Sequence, residues 1–113
     1  MPPEYARAIL VAATTGLRRA ELCGLRRRRD VDLDGALVRV SSSIVALPGA
    51  PVGEIPTKNR RVRTVALDDL TVSILWAQID MVDQRAAFAG VTVVDDAYVF
   101  SDAADGSEPW KPV

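Results

Sequence analysis

Apolar residues recur along this chain with two different periods, and the changes of period divide it into elements. After Pro2 and Pro3, the segment EYARAILVAATT sets Tyr5, Ile9, Ala12 and Ala13 at helical spacing, which predicts a helix over 3–14. Proline in its first turn costs nothing, because that N–H has no intrahelical partner. Gly16 supplies the permissive backbone for ending one helix and starting another. A second helix is expected over 17–27, with Leu22 and Leu25 on one face and arginines on the other. The period then falls to two. Past a turn at Asp34-Gly35, the residues Leu37, Arg39, Ser41 and Ser43 alternate with Ala36, Val38, Val40 and Ser42, which is the pattern of a strand. The Gly- and Pro-rich LPGAPVG leads to a second strand over 54–57, and Lys58-Asn59-Arg60 form a turn before a third over 62–67. These three strands are expected to make one small antiparallel sheet.

Asp68 and Asp69 are good caps for a long helix over 69–89, in which Val72, Leu75, Ile79, Val82 and Ala86 form a stripe at i, i+3, i+4 spacing. Gly90 closes it. An apolar patch, Tyr98-Val99-Phe100, and a polar turn, SDAADGSEPWKPV, complete the chain. The predicted class is α+β, helices packed with a small three-stranded antiparallel sheet. The chain ends on a Pro-rich approach to a further helix rather than on an element that docks on the core, so an incomplete domain is expected.

Composition narrows the chemistry. Of the 113 residues, 49% are hydrophobic and 26% charged, the balance of a globular chain able to bury a core. There is no internal repeat. Cys23 stands alone, cannot form an internal disulfide, and in ELCGL reads as a small buried hydrophobe, which fits a reducing cytoplasm. The longest apolar run, Ala8 to Ala13, is far short of the ~18 residues of a membrane span, so no membrane partner is expected. With no histidine and one cysteine, neither a zinc site nor a histidine general base can be assembled, and no metal or cofactor is expected. Chemistry falls to Arg, Lys, Tyr and carboxylates.

The net charge of −1 hides a sorting of charge along the chain. Ten of the fourteen basic residues lie in two windows: Arg18, Arg19 and Arg26 to Arg29 in the first, then Lys58, Arg60, Arg61 and Arg63. From Asp68 onward acids dominate, with only Arg85 and Lys111 against them. Such sorting predicts one side that faces a polyanion. Arg18 and Arg19 fall in the first turn of a predicted helix, where the partial positive charge of the helix end favours acids instead. Either Glu21, three residues on, compensates, or a phosphate does. The run Arg26 to Arg29 has the same two readings, a solvated face or a phosphate-contacting one.

The order of helix, TTGLRRAELCGL, DVDLD turn, strand, PTKNRRVRTVAL hairpin and capped helix resembles the tyrosine recombinase (phage integrase) family over essentially the whole chain. The resemblance places the family's first catalytic arginine at Arg18, its supporting acid at Glu21 and its catalytic lysine at Lys58. It implies that residues 1–113 are the N-terminal half of a catalytic domain, with double-stranded DNA as partner and a parent protein that works as a tetramer on two duplexes. Arg19, Arg26, Arg27, Arg28, Arg29, Arg60, Arg61 and Arg63 become the expected DNA-binding residues. The chemistry implied is metal-free: a tyrosine attacks a phosphodiester and leaves a 3'-phosphotyrosyl link, arginines stabilise charge on the phosphoryl oxygens, and the lysine protonates the departing 5'-oxygen.

This chain departs from the family pattern in two respects. The H-x-x-R motif and the late nucleophile are absent; Tyr5 and Tyr98 read as core, and Trp76 and Trp110 as packing residues. The family's L-R-W-x-D segment carries arginine for tryptophan and is one residue longer before Asp30. The chain by itself is therefore expected to bind DNA without cleaving it. A helix-turn-helix binding module, a degenerate integrase remnant and a type IB topoisomerase are the rival readings.

Overall fold

Helix α1 runs over Pro3–Thr15, with proline in its first turn, and ends where Gly16 takes up φ 74° and its N–H donates to Ala12 O at 3.0 Å. The computed structural model describes residues 2–46, 48–49, 52–56 and 62–112. The elements that follow are α2 (Arg19–Cys23), β1 (Val31–Asp32), β2 (Leu37–Val40), β3 (Ser42–Val45), β4 (Gly53–Pro56), β5 (Arg63–Ala66) and α3 (Asp69–Ala89). Two helices and the long capped helix, with a three-stranded antiparallel sheet, are the expected α+β class.

Two boundaries differ from the sequence expectation. α2 has five residues, where a helix over 17–27 was expected. Gly24 stops it because the backbone there lies against Ser42, so close that a Cβ would sit 2.9 Å from Ser42 O. Residues 27–30 form a separate turn: Asp30 N–H donates to Arg26 O at 3.0 Å, and its carboxylate accepts Arg26 N–H at 2.9 Å. Good helix formers at 25–29 are overridden by this contact with β3.

The alternating run over 36–43 also divides. β2 lies at the centre of the sheet β1-β2-β5, whereas β3 leaves it to pair with β4 in a separate two-stranded sheet, Ile44 opposite Glu54. The expected second strand therefore belongs to a different sheet, and β1, read from sequence as part of a turn, takes its place. The two-residue period survives the break. Val38, Val40, Ser42 and Ile44 are all buried, because Ser41 passes the chain from one partner to the next without changing side-chain parity.

α3 starts with Asp68 accepting Thr71 N–H at 2.7 Å and ends at Gly90 with φ 73°. Leu75, Val82 and Ala86 of its stripe are buried, and Val72 and Ile79 partly so. Gln78, fully buried, ties three elements together by accepting from Arg7 Nε at 2.7 Å and donating to Glu4 at 2.9 Å and to Val99 O at 3.0 Å. The core joins Val11, Leu22, Leu25, Val38, Val40, Leu75, Val99 and Phe100. Tyr98-Val99-Phe100 is thus an inserted core segment. Trp110 covers Phe100 and Tyr5 with ring centroids 5.1 and 4.9 Å away.

Tyr98 and Cys23 are buried as expected. Tyr5 and Trp76 are half exposed, 50% and 55%: Tyr5 packs on Trp110, and Trp76 lies beside Ile79 in a surface groove with Arg27, Val31 and Leu33. No helix among the described residues is long and apolar enough to cross a membrane.

Candidate nucleic-acid interface

Arg18 sits at the corner between α1 and α2. Leu17 is buried and anchors the corner, and Arg18 follows in extended backbone as the residue preceding α2. Its guanidine has no lone pair to offer the helix, so it caps nothing by its side chain. The tie comes the other way: Glu21 Oε1 accepts the backbone N–H of Arg18 at 2.9 Å. The cation that Glu21 pairs with is Arg63, whose Nη1 and Nη2 donate to Oε2 and Oε1 at 2.6 and 2.8 Å. The Arg63 hydrogen bonds hold the Glu21 carboxyl below the usual carboxylate range; burial opposes this, and the Arg18 N–H adds to it. Glu21 therefore supports Arg18 through its backbone. With α2 only five residues long, its dipole is weak and does little at Arg18. Arg18 and Arg19 are exposed, and among the described residues no acid pairs with their side chains.

The run Arg26 to Arg29 is placed differently. Arg26 donates to Glu54 Oε2 at 3.0 Å and to Tyr98 Oη at 2.8 Å, with its guanidinium also 4.2 Å from the Tyr98 ring centroid. Arg29 pairs with Glu54, donates to Asp30 Oδ2 at 2.9 Å, and reaches Gly24 O and Ser42 Oγ. Arg27 pairs with Asp83 at 2.8 Å, and Arg28 with Asp95 at 2.7 Å. Only Arg28 keeps a side chain that is mostly exposed, 72%.

Glu54 is the hub of this cluster. Burial raises its pKa, but hydrogen bonds from Tyr98, Arg29 and Arg26 outweigh that and bring it down to about 2. Burial and the Glu54 carboxylate push Tyr98 up to about 12, so the phenol stays protonated. Such a tyrosine is a structural donor rather than a nucleophile. Glu54 leaves no local pattern in the sequence, being a lone acid on a strand whose arginine partners lie more than twenty residues away.

Lys58, Arg60 and Arg61 lie outside the described residues. The strands that flank them are described: β4 ends at Pro56 and β5 begins at Arg63. Arg39, on the exposed face of β2, was not among the expected basic contacts; it faces solvent. Between α1, α2 and the tail lies an apolar groove of about 450 Å³, lined by Tyr5, Ile9, Ala12, Leu22 and Trp110.

No family model and no curated protein matches the sequence. Solved structures do. A Tn1549 transposon integrase in complex with transposon right end DNA is similar over 96% of this chain and 33% of its own, with TM-score 0.74 and 21% identity. The same integrase in complex with circular intermediate DNA matches with TM-score 0.67 and 23% identity, over 95% and 33%. A XerA recombinase is similar over 90% of this chain and 34% of its own, with TM-score 0.51 and 23% identity. The chain spans about a third of each of these structures. The chain thus has the fold of a segment of these integrase and recombinase structures.

Proposed function

We propose that this chain is the N-terminal half of a tyrosine recombinase catalytic domain, the part that grips the scissile phosphate with Arg18 and Lys58. The observation that supports this most is the match of nearly the whole chain to a DNA-bound transposon integrase, together with an exposed Arg18 whose backbone Glu21 fixes. In the parent protein, a tyrosine outside this segment attacks the phosphodiester and forms a 3'-phosphotyrosyl link. Charge then builds on the non-bridging oxygens, where a guanidinium held in place by its backbone is well suited to meet it. Lys58 protonates the departing 5'-oxygen, which leaves poorly without a proton. The parent acts as a tetramer on two duplexes, in the cytoplasm, without a metal.

The chain alone binds double-stranded DNA and does not cleave it. In the test, the 113-residue chain is mixed with nicked suicide duplexes and separately titrated onto labelled duplex at several salt concentrations. No covalent adduct and a steep salt dependence are expected. Arg18→Glu with Arg19→Glu should flatten the log-log salt slope by about 1.8, two phosphate contacts at ~0.9 each. A trapped phosphotyrosyl species would refute the missing nucleophile, and an unchanged slope would remove Arg18 and Arg19 from the interface.

A further inference from the structure

Arg63 was expected to contact DNA, yet both its terminal nitrogens are committed to Glu21, at 2.6 and 2.8 Å, and the same Glu21 Oε1 accepts the Arg18 backbone N–H at 2.9 Å. One carboxylate thereby links β5, an edge strand of the three-stranded sheet, to the residue that precedes α2. The geometry points to Arg63 as a positioning residue for Arg18: its fork holds Glu21, and Glu21 holds the backbone from which the Arg18 guanidinium projects. This rests on the proposed role of Arg18 at the phosphate.

The physical need for such a brace is local. α2 is five residues long, too short to hold itself, and its leading residue offers no side-chain cap. Leu22 and Leu17 bury one side of the corner. On the other side the side-chain tie is the Glu21 carboxylate, which is 10% exposed, whereas Arg63 is 49% exposed. A carboxylate that buried requires its cation, and a bidentate fork fixes both of its oxygens at once. A lysine at 63 would neutralise the charge without fixing the geometry.

The two roles for Arg63 predict opposite effects of Glu21→Gln. If Arg63 binds phosphate itself, Glu21→Gln frees it, adds a net positive charge and tightens DNA binding. If Arg63 positions Arg18, Glu21→Gln slackens the corner and Arg18 loses its contribution. The experiment is a double-mutant cycle on the full chain, read by anisotropy of a labelled duplex at ~50 mM salt. Arg18→Ala should weaken binding about tenfold in the otherwise unchanged chain, the effect of one phosphate contact at that salt. In the Glu21→Gln and Arg63→Met backgrounds the same change should cost about twofold or less, with Arg63→Lys in between. Arg63→Met, at a half-exposed position, keeps the test available should Glu21→Gln not fold. An Arg18→Ala effect of about tenfold in every background overturns the positioning role and leaves the Arg18 reading intact. If Arg18→Ala has no effect in the unchanged chain, the Arg18 reading fails first and the positioning role falls with it.

Discussion

Replacing Glu54 by glutamine separates an arginine run that holds the fold from one that serves only a ligand. Glu54 joins Arg26, Arg29 and Tyr98, and its side chain is 19% exposed while the two guanidinium side chains are about a third exposed, 30% and 32%. A carboxyl lowered from 4.5 to about 2 corresponds to about 3 kcal/mol of favourable interaction in the ionised form. Solvent around the arginines screens part of this, leaving about 1–2 kcal/mol. The pKa is depressed on folding, so this stability is fully present above the unfolded value near 4.5 and is lost as pH falls through about 2. Glu54→Gln keeps the volume and one acceptor oxygen but loses the charge. At pH 7 it should lower stability by about 1–2 kcal/mol, or the melting temperature by about 4–8 °C. The gap between the two proteins should narrow from pH 5 downward and close near pH 2. Urea unfolding followed by tryptophan fluorescence from pH 7 to pH 2.5 measures it. A gap that is absent at pH 7, or that persists undiminished at pH 2.5, would refute the idea that Glu54 anchors β4 to the arginine turn.

Gly106→Ala should destabilise the chain by about 2 kcal/mol or more, because the backbone has φ 76° and a Cβ would lie 2.6 Å from that of Ala97; a melting temperature within a degree of the parent would contradict the packing of the tail. Cys23 should be inert in the folded state. Burial, only partly offset by Arg19, pushes its thiol up to about 11, so a disulfide reagent at pH 8 should label it far more slowly in buffer than in urea; equal rates would mean that the residue is accessible.

The parts of this fold that were legible in the sequence are those set by local chemistry. Asp68 and Gly90 bound α3 because a side-chain acceptor and a left-handed backbone are requirements of the helix ends themselves. The shared parity of Val38, Val40 and Ser42, all buried, was legible for the same reason, since side-chain direction depends only on position along an extended chain. The pairing partners were not. Whether Ser42 continues the sheet of Val40 is decided by Asp30, which accepts the Ser41 hydroxyl at 2.6 Å, and by the close approach of Gly24 to Ser42. Those contacts span eleven and eighteen residues, beyond any periodic window. At the candidate site, a tie between Arg18 and Glu21 was expected from their spacing and is present as a backbone hydrogen bond, but the bond between Glu21 and Arg63, across 42 positions, was not expected.

The sorting of charge has a structural consequence that decides which arginines can reach a phosphate. Part of the acidic C-terminal half is internal counter-charge: Asp83 meets Arg27, Asp95 meets Arg28, and Asp96 accepts the backbone N–H groups of Arg28 and Arg29. These pairs differ in what releasing them would cost. The Arg28–Asp95 pair is open to solvent on both sides, 72% and 83% exposed, and such pairs contribute about 0–1 kcal/mol, so a phosphate can displace Asp95 with little loss. Withdrawing Arg26 or Arg29 would take a cation from a mostly buried Glu54 and forfeit up to about 1–2 kcal/mol, which offsets what one phosphate contact returns. If the run meets DNA under the proposed function, it does so through Arg28, with Arg26 and Arg29 holding the turn that presents it. Arg28→Ala should then reduce the salt slope by about 0.9 while changing stability by less than ~0.5 kcal/mol, and Arg29→Ala should do the reverse. A slope that falls equally for both substitutions would mean that the buried cluster opens on DNA.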